Sequence, residues 1–382
     1  MEKTYIPRNI NLDLTKSILI LGPRRTGKTM FIQKQLKPDL SYDLLNSKDF
    51  LRLSVRPYII EEEIKENHKI VVIDEIQKLP VLMDEIHRLI ETKRNVKFIL
   101  TGSNARKLKK THTSLMAGRA KLAHFHPFTY YELKKANIFN LKKVLTYGTI
   151  PDMYLSSNPY DELTNYIMLY LKEEIISEAI VRNIENFSRF LNVAGASNAE
   201  LVNFTQVGED SWVKPRTVIE YFNILQDTLI GNIVEPYRAR TDRKVYSRAK
   251  FYFFDIGVAN ALCERKEVTE KSVEFGKNFE HFIFNELNAY KDYTGKISII
   301  NFWRDYNGNE VDFIINGEIA IEVKAKEMVY ERDLKGLKSF LNSHKVKKSI
   351  VVSMEPRARK HNDIEILPYN TFLEMLWSNE LV

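Results

Sequence analysis

The sequence predicts an α/β protein of several domains, opening with a parallel sheet wound with helices and closing with a helix that leads into an antiparallel meander. Three observations predict it. Short apolar runs alternate with helical periodicity through the N-terminal part, three helical runs precede two apolar strands in the middle, and Asn307-Gly308 and Asn316-Gly317 separate strand-like runs near the C-terminus. The chain has 382 residues, 44% of them apolar, enough for two or three domains with cores of their own.

The first strand is expected over Ser17 to Leu21, followed by a glycine-containing turn and a helix from about Lys28. Two further buried-strand runs, KIVVID (Lys69 to Asp74) and VKFILTGS (Val96 to Ser103), flank a helical stretch around Val81 to Glu91. That alternation argues for a parallel sheet. Residues 128–185 read as helix, with apolar periodicity in FTYYELKKANIF and NYIMLYLKEEII. From about Phe187 to Phe254 come three helical runs and the strands LIGNIVEP and KFYFFD, the order of a winged helix-turn-helix. From about Val273 a helix, FGKNFEHFIFNELNAY, precedes the strands ISIINFWR, EVDFIIN and EIAIEVKA. The expected domains are residues 1–185, 186–262 and 263–382.

The turn after the first strand reads Gly22-Pro23-Arg24-Arg25-Thr26-Gly27-Lys28-Thr29 and satisfies G-x-x-x-x-G-K-[ST] between strand and helix. The two glycines let backbone N–H groups wrap phosphates, and the following helix adds its positive end. Lys28 would reach the outer phosphates of ATP and Thr29 would hold Mg²⁺. The second strand ends in Asp74 and Glu75, at the edge where such sheets bind ligands. Asp74 would bind Mg²⁺ and Glu75 would polarise the attacking water. A P-loop ATPase is the expectation.

With these residues the chain resembles the AAA+ superfamily, and more narrowly the prokaryotic signal-transduction-type ATPases whose phosphate loop carries a paired arginine, here Arg24-Arg25. SLMAGR (Ser114 to Arg119) and HPFTYYEL (His126 to Leu133) look like signatures of that family, with Met116 and Thr129 as departures. The resemblance implies a polar sensor at the end of the third strand, Ser103 before Asn104. It also offers Arg119 as a γ-phosphate contact, with a surface arginine as the alternative. No sensor-2 motif is evident, so a hexameric ring and a switch both stay open, and a homo-oligomer is an allowed partner state.

In the winged-helix segment, Lys214, Arg216 and Thr217 fall in the first turns of the third helix, where recognition helices meet phosphates and bases. Between Tyr237 and Lys250, Arg238, Arg240, Arg243, Lys244, Arg248 and Lys250 face Asp242 alone. Such a concentration attracts a nucleic-acid backbone, taken as DNA, with affinity falling as salt rises. The alternative is a connector with a solvated basic loop. A second basic segment holds Arg106, Lys107, Lys109, Lys110, Arg119 and Lys121, suited to a nucleic-acid path or a subunit interface.

In the last strands Glu322 and Lys324 share one face, and Asp312 lies on the preceding strand. Paired carboxylates beside a lysine suit Mg²⁺-dependent phosphodiester cleavage, with Asp312 and Glu322 as ligands, Lys324 orienting water and Glu280 a further carboxylate. These residues look like the PD-(D/E)XK nuclease fold, a restriction-endonuclease-like α/β domain, with Val311 where the motif has proline. A catalytically silent binding module is the competing reading. The +7 formal charge gathers largely in the two basic segments. Cys263, the one cysteine, excludes an intrachain disulfide or a cysteine metal cluster and suits a cytoplasmic setting. No apolar run approaches the ~18 residues of a membrane span.

Overall fold

The computed structural model describes residues 5–93, 95–103, 120–171, 183–238 and 248–382. The chain divides into two compact units, Met1–Pro127 with Asp227–Ile230, and Phe128–Gln226 with Gly231–Val382. The described helices after Pro127 group with the second unit. Among the described residues no helix is long and apolar enough to cross a membrane.

The first unit is a five-stranded sheet in the order β2-β3-β4-β1-β5. Its strands are β1 (Ser17–Leu21), β2 (Leu40–Asp43), β3 (Ile70–Asp74), β4 (Lys97–Gly102) and β5 (Ala120–His124). Every pairing is parallel, and Ile18 of β1 lies between Ile99 and Lys121. Parallel strands need both faces covered, which is why β3 and β4 read as unbroken apolar runs. Helix α1 (Lys28–Phe31) continues into a π-helical turn over Ile32–Leu36, and α2 (Ser47–Val55), α3 (Ile59–Glu63) and α4 (Leu82–Thr92) follow. Leu82, Ile86 and Leu89, spaced along one face of α4, share a core with Val71, Ile73, Phe98 and Leu100.

The second unit begins with four short helices, α5 (Tyr130–Lys135), α6 (Leu141–Tyr147), α7 (Pro151–Leu155) and α8 (Pro159–Tyr166). A helical module follows: α9 (Ile184–Ala196), β6 (Glu200–Leu201), α10 (Phe204–Ser211), α11 (Pro215–Asp227), β7 (Gly231–Val234) and β8 (Lys250–Phe253). Its strands form an antiparallel sheet in the order β6-β8-β7. Phe190, Phe222 and Phe251 meet edge-on beneath it, with ring centroids 5.0 and 4.9 Å apart.

After α12 (Ile256–Leu262), the long α13 (Val273–Thr294) precedes a six-stranded mixed sheet. Strands β9 (Ile300–Arg304), β10 (Glu310–Ile315) and β11 (Ile319–Lys324) form the expected antiparallel meander. Three more strands extend it: β12 (Lys348–Ser353), β13 (Arg359–His361) and β14 (Ile364–Pro368), with β11, β12 and β14 parallel. Helices α14 (Lys335–Leu341) and α15 (Tyr369–Trp377) complete the unit.

Candidate functional site

The loop Gly22 to Gly27 joins β1 to α1 and is held from several sides. Gly22 donates its N–H to Gly102 O at 3.2 Å, and a Cβ there would lie 2.4 Å from Phe125 O, so no side chain fits. Arg25 and Gly27 take left-handed φ values of 60° and 95°, which curl the loop before the helix begins. Thr26 Oγ1 donates to Pro23 O at 2.8 Å. The buried Lys28 ammonium folds back to donate to Gly22 O at 2.7 Å and Pro23 O at 2.9 Å. From the N-terminal segment, Arg8 braces the loop by donating to Thr26 O at 2.6 Å while its guanidinium lies 4.4 Å from the Phe125 ring.

Facing the loop, Asp74 ends β3 and Glu75 turns out of it at φ 59°. Adjacent strand residues ordinarily point to opposite faces, and the left-handed step lets both carboxylates join one hydrogen-bond network. Thr29 Oγ1 donates to Asp74 Oδ2 at 2.8 Å, and Thr101 Oγ1 donates to Asp74 Oδ1 while accepting from Glu75 N at 3.0 Å. Ser103 Oγ donates to Glu75 Oε2 at 3.1 Å, and Gln77 Nε2 donates both to Ser103 Oγ at 3.1 Å and to Glu75. The network thus gathers Thr29, Asp74, Glu75 and Ser103 from helix α1 and the ends of two strands, β3 and β4. A hydroxyl and a carboxylate oxygen side by side form a hard-oxygen pair of the kind Mg²⁺ accepts.

Thr101, Gln77 and Arg8 belong to this site although the sequence reading did not single them out. Asn104, Arg106, Lys107, Lys109, Lys110 and Arg119 lie outside the described residues. Lys121 is on β5 and pairs with Asp13.

In the helical module, α11 starts at Pro215, so Lys214 precedes it and Arg216 and Thr217 occupy its first turn. Lys214, Arg216 and Arg238 are exposed, and Trp212, in the turn before α11, is 84% exposed at φ 58°. Arg240, Arg243 and Lys244 lie outside the described residues. Lys250 corrects the reading of a basic wing: its side chain is 3% exposed and engaged by carboxylates, so it is closed to a nucleic-acid backbone.

Those carboxylates belong to the C-terminal cluster. Lys250 Nζ lies 2.9 Å from Glu280 Oε1, 3.6 Å from Asp312 Oδ1, and is also paired with Glu310. Tyr252 OH donates to Glu280 Oε1 at 2.5 Å, and Arg304 holds Glu310 at 2.7 Å. Asp312 Oδ2 accepts from Val323 N at 2.7 Å, and Lys324 pairs with Glu322 on its own strand. Burial, resisted by Lys250, pushes Glu280 up to about 7. Burial and then the Asp312 charge raise Glu322, whose Oε2 has no hydrogen-bond partner. Burial pulls the Lys250 and Lys324 ammoniums down, but the surrounding carboxylates more than offset it and both stay protonated. Each expected residue, Glu280, Asp312, Glu322 and Lys324, is in the cluster. A divalent ion does not fit it as it stands, because an ammonium already occupies the centre of three of its carboxylates.

Residues 14–134 match an AAA domain, and residues 138–269 and 275–372 match two domains of unknown function, DUF8612 and DUF4143. The N-terminal unit is accordingly of AAA type. An uncharacterized protein of Haemophilus influenzae is 21% identical over 366 residues, which span 87% of this chain and 89% of that protein. A solved structure, Drosophila ORC bound to AT-rich DNA and Cdc6, aligns over 66% of this chain and 87% of its own at 10% identity. Its TM-score of 0.23 is too low to carry an argument.

Proposed function

We propose that the chain is an ATP-hydrolysing switch that engages DNA through a winged helix and carries a C-terminal module that binds without cutting. The observation that carries the ATPase reading is the network joining Thr29, Asp74, Thr101, Glu75 and Ser103 opposite the phosphate loop. Loop N–H groups and Lys28 bind and orient the phosphates, with Lys28 exchanging its two loop carbonyls for phosphate oxygens. Thr29 and Asp74 would hold Mg²⁺, which supplies charge neutralisation at the phosphates. Glu75 accepts a hydrogen bond from the attacking water and aligns it, while Ser103 and Gln77 fix the direction of its carboxylate.

The element order α9, β6, α10, α11, β7, β8 supports a winged helix within residues 186–262, with Lys214, Arg216 and Arg238 on its exposed side. The basic residues Arg240, Arg243, Lys244 and Arg119 extend that reading by sequence alone. Residues 263–382 are read as a nuclease-like fold, and the Lys324–Glu322 ion pair supports the silent version over the cutting one.

Phosphate release from ATP tests the central claim. Wild type is expected to turn over ATP at least ~100-fold faster than Lys28→Ala, and Glu75→Gln to retain nucleotide binding while losing turnover by a similar factor. A wild-type rate no higher than that of Lys28→Ala would sink the proposal. DNA binding should weaken as salt rises, and Lys214→Ala with Arg216→Ala should reduce the slope of log affinity against log salt by about 2.

A further inference from the structure

Strand β8 presents two different faces. Phe251 and Phe253 turn toward the helical module's aromatic core, with Phe251 4.9 Å from Phe222 and 5.0 Å from Phe253. Lys250 and Tyr252, two residues apart, share the opposite face and both reach Glu280 Oε1. We propose that Lys250 is the resident cation of the C-terminal cluster, its ammonium standing among Glu280, Glu310 and Asp312 where a divalent metal would otherwise bind. This rests on the reading of the C-terminal module as non-cutting, and adds what keeps it so.

Geometry holds the lysine there. Strand β8 is bonded on both edges, to β6 and to β7. Just beyond β7 the chain is tied to β9, with Tyr237 N donating to Phe302 O at 2.6 Å and Asn301 Nδ2 donating to Glu235 O at 3.0 Å. The Lys250 ammonium also lies 5.6 Å from the Phe302 ring. A side chain anchored by strand pairing, aromatic packing and three carboxylates cannot swing out as a surface lysine would.

Charge points the same way. Lys250, Lys324 and Arg304 set three positive charges against the carboxylates of Glu280, Glu310, Asp312 and Glu322. One proton completes that balance. A divalent ion sharing these ligands would stand within a few ångströms of a buried ammonium, and at short range in a poorly screened site that repulsion outweighs what the shared carboxylates return. Replacing the ammonium by an uncharged side chain removes both the block and the counter-charge, leaving three carboxylates to recruit a cation.

The test uses nucleotide-free full-length protein and Mn²⁺. Calorimetric titration should give wild type and Asp312→Asn the same Mn²⁺ stoichiometry. Lys250→Ala and the closer-sized Lys250→Met should each gain one Mn²⁺ site and melt about 3 °C or more higher with Mn²⁺ than with EDTA. That gain should vanish when Asp312→Asn is added. A wild-type Mn²⁺ site that Asp312→Asn abolishes overturns the inference, and this comparison holds even if the Lys250 variants fail to fold. Folded Lys250 variants that gain no site overturn it while leaving the non-cutting reading in place. Mg²⁺-dependent DNA cleavage by wild type that Asp312→Asn abolishes overturns both.

Discussion

Glu286 shows how one buried side chain governs a pH dependence. It accepts from Tyr130 N at 2.7 Å and from Trp377 Nε1 at 2.8 Å, and burial pushes its carboxyl up to about 8. An unfolded glutamate titrates near 4.5, so the stabilisation from the neutral form is fully present below that pH and is lost as pH rises through about 8. His281, held neutral by burial down to about 4, acts in the opposite direction, but only below its unfolded value of 6.5. Between pH 6.5 and 8 Glu286 therefore works without that opposition, within a total loss of about 3 to 5 kcal/mol across its whole window. Urea unfolding should show Glu286→Gln flattening this slope, at a cost of about 1 kcal/mol at pH 5, since an amide nitrogen cannot accept from Trp377. A slope unchanged in the variant would assign the dependence elsewhere. At this scale the loop from Gly22 to Thr29 stood out by its contiguous spacing, and Asp74 with Glu75 by a carboxylate pair ending an apolar strand, where acidic residues are scarce. Thr101 did not, since a hydroxyl inside VKFILTGS looks like any strand-forming β-branched residue. Lys250 was misassigned because its neighbours were counted as charge, while the alternation in KFYF already placed Lys250 with Tyr252 against two phenylalanines.

Among elements, the hairpin β10-β11 was readable because Asn316 and Gly317 both take positive φ, 54° and 71°, the conformation that Asn-Gly provides most cheaply. Strands β2 and β5 were not. Both pair non-locally and carry exposed positions that break the apolar pattern, so nothing in LSYD or AKLAH distinguishes a strand from a loop. β12 escaped for a related reason, since its pairing to β11 and β14 is parallel and leaves no turn signal beside it. Two glycines on helices give opposite forecasts. A Cβ at Gly336 on α14 would lie 2.0 Å from Glu310 O, a backbone atom that cannot give way, so Gly336→Ala should cost about 1 to 3 kcal/mol and disturb the Glu310 end of the cluster. At Gly276 on α13 nothing lies within 4 Å, and Gly276→Ala should add about 0.5 to 1 kcal/mol. Denaturant midpoints decide both, and equal shifts for the two variants would contradict the packing argument.

For the whole molecule, residues 128–171 group by contacts with the second unit, although sequence alone does not say which core they join. Helical periodicity reports that a stretch is helical and amphipathic but not which core receives its apolar face. The two units carry separate chemistry, one a phosphate loop with its acidic network, the other a carboxylate cluster neutralised from within. ATP at about 100 times its dissociation constant should stabilise by roughly 2.7 kcal/mol, and hydrogen exchange should place the added protection in β1, β3 and β4. Lys28→Ala should abolish that protection; protection rising equally in β9 to β14 would argue against a nucleotide effect centred on the loop.

Within its sheet, the strand that leads into the phosphate loop precedes the others in the chain and is the last to gain both neighbours. β1 is complete by Leu21, yet its two partners are β4 and β5, and Ser17 waits for Ala120 before both its edges are paired. During synthesis the loop therefore emerges long before the ledge that shapes it. Such delayed closure slows folding and leaves an unpaired apolar edge open to other chains. A ribosome-bound fragment ending after β4 should accordingly resist ATP capture, and competence should appear only once the chain has passed His124 and Phe125, whose backbone closes over Gly22.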